Sequence, residues 1–121
     1  MVRIIILSFF ISLQSIAQEC PSQTVYTKTD GSKITLCYNA KHEDFISLSC
    51  LKNCGAKKFL GQSIELTTKE LKGGKEPHSV ACTKLSGKLY LYRDEKQNEY
   101  AFCEADDGSA VSADLIDFKI K

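Results

Sequence analysis

Hydrophobic and polar residues alternate with a period of two along residues 25–37, which is the pattern of half-buried β-strands. Two β-rich runs, VYTKT and SKITLC, flank the dipeptide Asp30-Gly31. An Asp-Gly pair between such runs is a strong hairpin signal, because a two-residue turn places both of its residues at positive φ. We therefore predict an antiparallel hairpin with a two-residue loop.

The length of this loop decides which side chains face the core, since a shift of one residue exchanges the two faces of a strand. With two loop residues, one face carries two opposed pairs, Thr27 with Ile34 and Val25 with Leu36. We expect this face to be buried and Tyr26 to lie on the other. The register also brings the segment before the hairpin toward Cys37, so a Cys20–Cys37 disulfide is one of the pairings left open.

A second alternating stretch covers residues 89–103 and predicts another hairpin. Leucines alternate with tyrosines in its first run, and aromatic residues alternate with Ala101 and Cys103 in its second. A polar turn at residues 94–98 joins the two runs. Near the C-terminus we predict a closing edge strand that carries Phe118 and Ile120.

The segment after the first hairpin, residues 40–54, fits either a strand or a helix. As a strand, it would place Ile46, Leu48 and Cys50 on one face. As a helix, it would start from a polar cap residue and end before Gly55. Serines at alternate positions favour the strand, which is our prediction.

Residues 59–70 predict a short strand followed by a single helical turn. Ile64 and Leu66 would share the buried face of the strand. Thr67 and Glu70 match the Ser/Thr-x-x-Glu pattern of a capping box, in which two side chains satisfy the free amides of a helix start.

Glycines and a proline at residues 73–77 mark the clearest internal boundary of the chain. They separate a β-rich half with four cysteines, residues 18–74, from a hairpin unit with two cysteines, residues 75–121. We predict a mainly β fold, with a small α+β fold as the alternative. Disulfide-stapled antiparallel hairpins would form one compact domain with two parts.

The first residues have the pattern of a secretory signal peptide. Arg3 precedes an apolar run of about ten residues, and small residues up to Ala17 fit a cleavage site there. A membrane-spanning helix needs roughly 20 apolar residues, so this run is too short for a membrane anchor. Cys20 follows Glu19 instead of a small residue, which argues against a lipid anchor. We predict that residues 1–17 are removed and that the mature chain is secreted or periplasmic, with no membrane span.

All six cysteines lie after the predicted cleavage site and indicate a framework of three disulfides. They are Cys20, Cys37, Cys50, Cys54, Cys82 and Cys103. Cys50 and Cys54 have three residues between them, unlike the Cys-x-x-Cys of redox motifs, and the two histidines lack the paired spacing of a metal site. We predict structural disulfides and no metal, with the partners of Cys50 and Cys54 left open.

The charge of the chain argues against a nucleic-acid partner. Without residues 1–17 it has 15 Lys and Arg residues against 15 Asp and Glu residues, so it carries no global positive field. The charges are nevertheless separated, basic in the middle and acidic in the last third. The two sets are Lys52, Lys57, Lys58, Lys69, Lys72 and Lys75, and Asp94, Glu95, Glu99, Glu104, Asp106, Asp107, Asp114 and Asp117. We expect two solvated faces, and the sharper alternative is a polarised surface that docks a charged partner.

The residues predict no catalytic constellation. His42 and His78 are the candidate general bases, and Ser79 directly follows His78. We expect residues around His78 to be extended, so that the side chains of His78 and Ser79 point in opposite directions. Asp106 and Asp107 are expected to form a solvated turn with too few spaced oxygen ligands for Ca²⁺. We predict that the protein is not an enzyme and has no cofactor.

Three segments of the C-terminal half occur in an order that is shared with a known family. They are PHSVAC ending at Cys82, Gly87 before a strand, and Phe-Cys followed by Asp-Gly-Ser at residues 107–109. This pattern resembles a small exported bacterial domain of uncharacterised function, often labelled hemolysin. Val111 stands where the family has a further cysteine, and the later Trp segment and last cysteine are missing. The resemblance implies Cys82–Cys103 as the retained bridge and carries no activity.

A weaker resemblance rests on Tyr26 with Asp-Gly-Ser at residues 30–32, and on SGKLY at residues 86–90. These segments are similar to those of the small β-barrel inhibitors of C-type lysozymes. In those inhibitors a Ser-Gly-x-x-Tyr segment presents polar groups to the acidic cleft of the enzyme. The resemblance implies that Ser86, Lys88 and Tyr90 are contact residues.

These observations lead to two functional hypotheses. The first is a non-catalytic exported protein that binds another protein or a component of the cell envelope. The second is an inhibitor of a secreted hydrolase such as lysozyme. An inhibition assay with purified protein distinguishes them.

Overall fold

The computed structural model describes Cys20 and residues 22–121, so the predicted signal peptide lies outside the described residues. These residues form strands β1 (Gln23–Thr27), β2 (Lys33–Asn39), β3 (Asp44–Ser47), β4 (Ser63–Leu66), β5 (Lys88–Arg93), β6 (Glu99–Glu104), β7 (Ala110–Ser112) and β8 (Asp117–Ile120). One α-helix, α1, spans Pro77–Lys84, and 3₁₀ helices span Leu48–Leu51, Gly55–Phe59 and Ala113–Leu115. This content confirms the prediction of a mainly β fold.

Six strands form a closed antiparallel barrel in the order β1-β2-β3-β7-β6-β5. The pair of Thr27 and Arg93 joins β1 to β5 and closes it. Strands β1–β3 come from the first half of the sequence and β5–β7 from the second, so both halves build the same barrel. Outside it, β4 and β8 form a parallel pair, which confirms the predicted C-terminal strand at Phe118 and Ile120.

The first hairpin is present, but its predicted register is wrong by one residue. Tyr26 lies opposite Ile34, whereas two loop residues would have paired Thr27 with Ile34. The amide of Gly31, whose φ is 88°, donates to the carbonyl of Lys28, so that the loop has three residues and ends in a glycine bulge. The added loop residue turns Tyr26 toward the barrel interior and leaves Val25 39% exposed.

Aromatic side chains fill the interior of the barrel. The buried cluster comprises Tyr26, Leu36, Tyr92, Phe102 and Ala110, with Ile34 and Phe45 packed against it. The rings of Tyr92 and Phe102 are stacked, with their centroids 4.7 Å apart. The second hairpin, which contributes both rings, confirms the predicted strands and turn, with Tyr90 opposite Phe102.

The outer face of the barrel supports a second and larger hydrophobic cluster. Ile46 and Val111 point outward from β3 and β7, and Cys103 points outward from β6. They pack with Phe59 from a 3₁₀ helix and with Leu66 from β4. The short strand predicted within residues 59–66 is therefore confirmed and spans Ser63–Leu66, with Leu66 fully buried.

The segment before the second hairpin is the helix α1, and our expectation of an extended segment around His78 is wrong. Glu76 caps α1 by accepting a hydrogen bond from the amide of Ser79 at 2.9 Å. Pro77 occupies the first helical turn, where its missing N–H costs nothing. These two residues are the helix-start signal that the sequence analysis missed. Helical geometry also directs the side chains of His78 and Ser79 about 100° apart.

The ambiguous segment divides into a strand and a helix. Residues 44–47 form β3, as predicted, but the strand ends before Leu48, and residues 48–51 form a 3₁₀ helix.

The capping box after β4 is confirmed by its two reciprocal hydrogen bonds. The Thr67 amide donates to Glu70 Oε1 at 3.0 Å, and the Glu70 amide donates to Thr67 Oγ1 at 3.2 Å.

Three disulfides join Cys20 to Cys37, Cys50 to Cys54, and Cys82 to Cys103. Each bridge restricts the unfolded chain and contributes about 2–4 kcal/mol. Gly87 lies directly against the last bridge, since an added Cβ would be 2.5 Å from the Cys103 sulfur. None of the helices in the described part of the chain has the length and apolar composition needed to cross a membrane.

Candidate functional site

One end of the barrel interior contains an ion pair, and we call this the paired end, formed by Lys28, Tyr92 and Glu104. The Glu104 carboxylate accepts a hydrogen bond from the Tyr92 hydroxyl at 2.7 Å and lies 3.3 Å from Lys28 Nζ. The Glu104 side chain is 9% exposed and that of Lys28 is 25% exposed. The three polar groups therefore satisfy one another within the fold.

The paired end has a strong electrostatic effect on its tyrosine. Burial raises the pKa of Tyr92, and the hydrogen bond to the Glu104 carboxylate raises it further. Lys28 Nζ also lies 5.9 Å and 6.0 Å from the ring centroids of Tyr90 and Tyr92, within range of a cation–π interaction. This end already contains its own cation.

The opposite end of the barrel holds a cavity of about 360 Å³, which we call the open end. It lies where β1 and β3 begin, β2 ends and the second hairpin turns. Its lining is Tyr26, Tyr38, Phe45, Tyr100, Ala101, Phe102 and Ser112, with the acidic residues Glu43, Asp44, Glu99 and Asp114. The described lining contains aromatic rings and carboxylates but no lysine or arginine.

The aromatic side chains of the open end support one another in edge-to-face contacts. The ring of Tyr26 lies 5.8 Å from that of Phe45 and 5.7 Å from that of Tyr100, between centroids. Tyr38 packs against Phe45 at 5.4 Å. Tyr38 and Tyr100 remain 36% and 43% exposed, so their ring surfaces face solvent at the mouth of the cavity. The wall is thus held in place from within the barrel.

Tyr26 differs from Tyr92, the other tyrosine of the buried interior cluster, because its hydroxyl has no partner among the described residues. The residue is 3% exposed, and its hydroxyl makes no hydrogen bond to any described residue. Among the described residues, no side-chain polar atom is both fully enclosed and without a partner. The Tyr26 hydroxyl therefore still reaches solvent through the cavity that Tyr26 lines. Burial raises the pKa of Tyr26 to about 12, and the charges of Tyr100, Asp94 and Asp44 add to the shift.

Two carboxylates at the open end already have partners, one in an ion pair and one in a hydrogen bond. Arg93 binds Glu99 at 2.9 Å on the outer surface. Asp94 accepts a hydrogen bond from the Tyr100 hydroxyl at 3.3 Å. Partial desolvation raises the pKa of Asp94, but hydrogen bonds from Asn98 and other groups lower it overall, so this carboxylate is charged at neutral pH.

The contact residues implied by the lysozyme-inhibitor resemblance lie at the paired end. Ser86, with φ 67°, precedes β5, and Lys88 lies opposite Glu104 in the register. Tyr90 is 39% exposed and lines a separate cavity of about 320 Å³ with Lys28 and Glu104. The three residues are therefore close in the fold, but they are at the opposite end from the acidic cavity.

The Asp-Gly-Ser turn serves to join two parts of the structure. Asp107 Oδ2 accepts a hydrogen bond from the Gly55 amide at 2.7 Å, and Ser109 Oγ accepts one from the Ala56 amide at 2.9 Å. Hydrogen bonds from Ser109 and then from Gly55 lower the pKa of Asp107. The expected solvated acidic turn is confirmed, because Asp106 and Asp107 are exposed turn residues. The Asp107 carboxylate has the further role of anchoring the start of the 3₁₀ helix Gly55–Phe59.

In two other candidate regions, the groove beside α1 and the surroundings of His78, the polar side chains already contact other residues of the protein. The cavity of about 560 Å³ beside α1 is a surface groove in which Lys84 already binds Glu70 at 3.0 Å. His78 lies 3.0 Å from Glu76 and packs edge-on against Phe118. Among the described residues, no group of three or more His, Cys, Asp or Glu side chains is placed to hold a metal ion.

Comparison with known proteins gives no relative. No family model, no curated protein and no solved structure matches the chain. Both resemblances stay predictions, and the functional argument rests on the geometry of the barrel.

Proposed function

We propose that this protein is a non-catalytic exported binding module, whose ligand site is the open end of the barrel. The partner would be another protein or a component of the cell envelope. The observation that carries the proposal is the 360 Å³ cavity at this end, where the Tyr26 hydroxyl has no hydrogen-bond partner among the described residues. This hydroxyl is reached through the cavity, so a ligand bound there would supply the hydrogen-bond partner that the described residues do not.

Three disulfides in a small β-barrel are consistent with an extracellular or other oxidising compartment, where such bonds form and persist. The predicted signal peptide supports export to the periplasm or beyond. The proposed partner should therefore be sought outside the cytoplasm.

Site-specific crosslinking tests the proposed site. A photo-crosslinking amino acid would replace Tyr100 at the open end, and in a control protein it would replace the exposed Lys119 on β8. We expect adducts with exported proteins or envelope material of the producing cell from position 100 and not from position 119. Adding Tyr38→Ser should weaken the adduct from position 100. Equal adducts from both positions, or none from position 100, would contradict the proposal.

A second candidate function is inhibition of a secreted hydrolase such as lysozyme. It is supported by the exposure of Lys88 and Tyr90 on β5, next to Lys28, because two cations and an aromatic ring suit an acidic cleft. Activity of a C-type lysozyme should then fall with added protein, and Tyr90→Ala should abolish the effect while Tyr100→Ala preserves it. Absence of inhibition at high micromolar protein would remove this candidate.

A further inference from the structure

We propose that the open end binds the cationic side chain of a lysine or arginine in a polypeptide partner. This inference rests on the proposed function and specifies the chemistry of its ligand. The cation would enter between Tyr38 and Tyr100, contact the ring of Tyr26, and face the rim carboxylates.

The aromatic wall supplies the first element of recognition. The faces of tyrosine and phenylalanine rings attract cations, and a cage of such rings is a recurrent site for ammonium groups. At the open end, Tyr26, Phe45 and Tyr100 have ring centroids within 6 Å of at least one neighbour. Because the rings are packed in fixed edge-to-face contacts, a cation would bind them without reordering the wall.

The rim supplies the charge. Four carboxylates line the cavity, and its described lining has no lysine or arginine, although Arg93 pairs with Glu99 from outside the lining. Glu43 has no salt bridge to a described residue, and Asp114 has none to a described lysine or arginine but lies 4.0 Å from His78 Nε2. Charge complementarity therefore selects a positive ligand over a neutral or negative one.

The arrangement fits an organic cation better than a metal ion. A metal needs several oxygen ligands converging at about 2–2.6 Å, and no three acidic side chains of the described residues meet in that way. The carboxylates instead surround an aromatic floor. An ammonium or guanidinium group on an aliphatic stem uses both features at once.

The Tyr26 hydroxyl supplies the hydrogen-bond acceptor at the bottom of the cavity. Lysine and arginine carry only donors, so an N–H of either would donate to this oxygen. At the paired end the position of the bound cation is taken by the ammonium of Lys28, which lies against Tyr90, Tyr92 and Glu104. The open end thus presents rings and carboxylates with the internal cation missing.

The size of the cavity and the exposure of its mouth indicate a polypeptide as the source of the cation. A volume of about 360 Å³ is at the lower limit for small-molecule sites, enough for one long side chain. More than a third of both Tyr38 and Tyr100 stays exposed around it. A peptide backbone lying across the mouth would cover these rings, which a free amine would leave exposed.

An NMR titration with short capped peptides tests the inference on the full mature protein. The probes are acetyl-Gly-Lys-Gly-amide, its arginine analogue, its norleucine analogue, and n-butylammonium as the free cation. We expect shifts centred on Tyr26, Tyr38 and Tyr100, and at least about tenfold tighter binding of the lysine than of the norleucine peptide. The peptide should also bind more tightly than n-butylammonium.

A matched pair of double variants distinguishes the effect of the rim carboxylates from the effect of the net charge of the protein. Glu43→Gln with Asp114→Asn removes two rim carboxylates, while Asp106→Asn with Asp117→Asn removes two carboxylates that do not line the cavity. We expect the rim variant to weaken lysine-peptide binding about five- to tenfold, and the control to change it less than about twofold. Tyr26→Phe should weaken it while keeping the fold.

The outcomes distinguish this inference from the proposed function. Equal binding of the lysine and norleucine peptides at the cavity would overturn the cation assignment and leave the open end as a binding site. Equal effects of the two double variants would also overturn it. No shifts at the cavity with any probe would overturn it as well, and the crosslinking experiment would then judge the proposed function separately.

Discussion

The two ends of the barrel are built from the same strands but treat their polar groups in opposite ways. At the paired end, Lys28, Tyr92 and Glu104 satisfy one another inside the fold. At the open end, the Tyr26 hydroxyl has no described partner and the cavity lining carries only negative charge. The comparison indicates that the first end stabilises the fold, whereas the second is available to a ligand.

The two ends differ because an interior-facing position carries a lysine at the paired end but not in the described lining of the open end. Lys28 continues the inward-facing series of β1 after Thr24 and Tyr26, and it reaches Glu104 across the barrel. At the other end the described cavity lining contains no lysine or arginine, and Arg93 binds Glu99 on the surface. Polar groups in the interior of a barrel must find partners within reach, and only one end provides them.

The largest expected effect is the loss of the carboxylate at the paired end. Glu104→Ala would leave the half-buried Lys28 ammonium and the buried Tyr92 hydroxyl without their partner, and we expect a loss of about 2–4 kcal/mol in the free energy of unfolding. Urea denaturation measures it. As a control, Glu99→Ala removes a surface carboxylate and should cost no more than about 1 kcal/mol. Similar losses in both variants would mean that the paired end adds no special stability.

The two interior tyrosines provide the next test, because Tyr92 and Tyr26 differ in whether the hydroxyl is bonded. Tyr92→Phe removes a hydrogen bond to a charged group and should cost about 1–2 kcal/mol. Tyr26→Phe removes a hydroxyl that has no partner among the described residues and reaches solvent, so it should change stability by less than about 0.5 kcal/mol. Both are measured by urea denaturation, and a larger loss for Tyr26→Phe would refute the proposed difference between the ends.

Alkaline pH gives a third test. The folded pKa of Tyr26, about 12, lies above its ordinary value of 10, so its contribution to stability is fully present below pH 10 and is lost as pH rises through 12. We expect the unfolding midpoint in urea to fall across this range, and to fall less steeply in Tyr26→Phe. Tyr92 contributes in the same direction and remains in that variant. An identical pH slope for wild type and variant would show that Tyr26 titrates normally.

The smallest expected effect on stability is at the rim of the open end. Glu43→Gln with Asp114→Asn should change the free energy of unfolding by less than about 0.5 kcal/mol, since both side chains are exposed and unpaired with lysine or arginine among the described residues. Thermal denaturation at low salt measures it. A loss above about 1 kcal/mol would mean that these carboxylates support the fold and are not free for a ligand.

Local signals in the sequence were sufficient where neighbouring residues decide the structure. The capping box at Thr67 and Glu70 and the hairpin at residues 89–103 formed as predicted, because their partners are close in the chain. The helix α1 was also encoded locally by Glu76 and Pro77, and only the interpretation of an extended segment hid it. The Cys20–Cys37 bridge, one of the pairings left open, followed from the hairpin that brings its ends together.

The candidate site was beyond such local reasoning. A glycine bulge in the first hairpin shifted the register by one residue and moved Tyr26 from the predicted outer face into the interior. The cavity then required Tyr26, Phe45 and Tyr100 to meet, although they belong to three strands from both halves of the chain. The residues predicted as contacts, around Tyr90, lie at the other end.

By itself, the sequence determined the mainly β class, the covalent framework of six cysteines and most strand positions, because period-two patterning and cysteine content are properties of the chain itself. Only the tertiary structure decided which side chains share the barrel interior and which end keeps a cation. Barrel closure depends on the pairing of Thr27 with Arg93, 66 positions apart in the sequence, and local patterning does not specify the partners of distant strands. The contrast between the two ends arises from that closure.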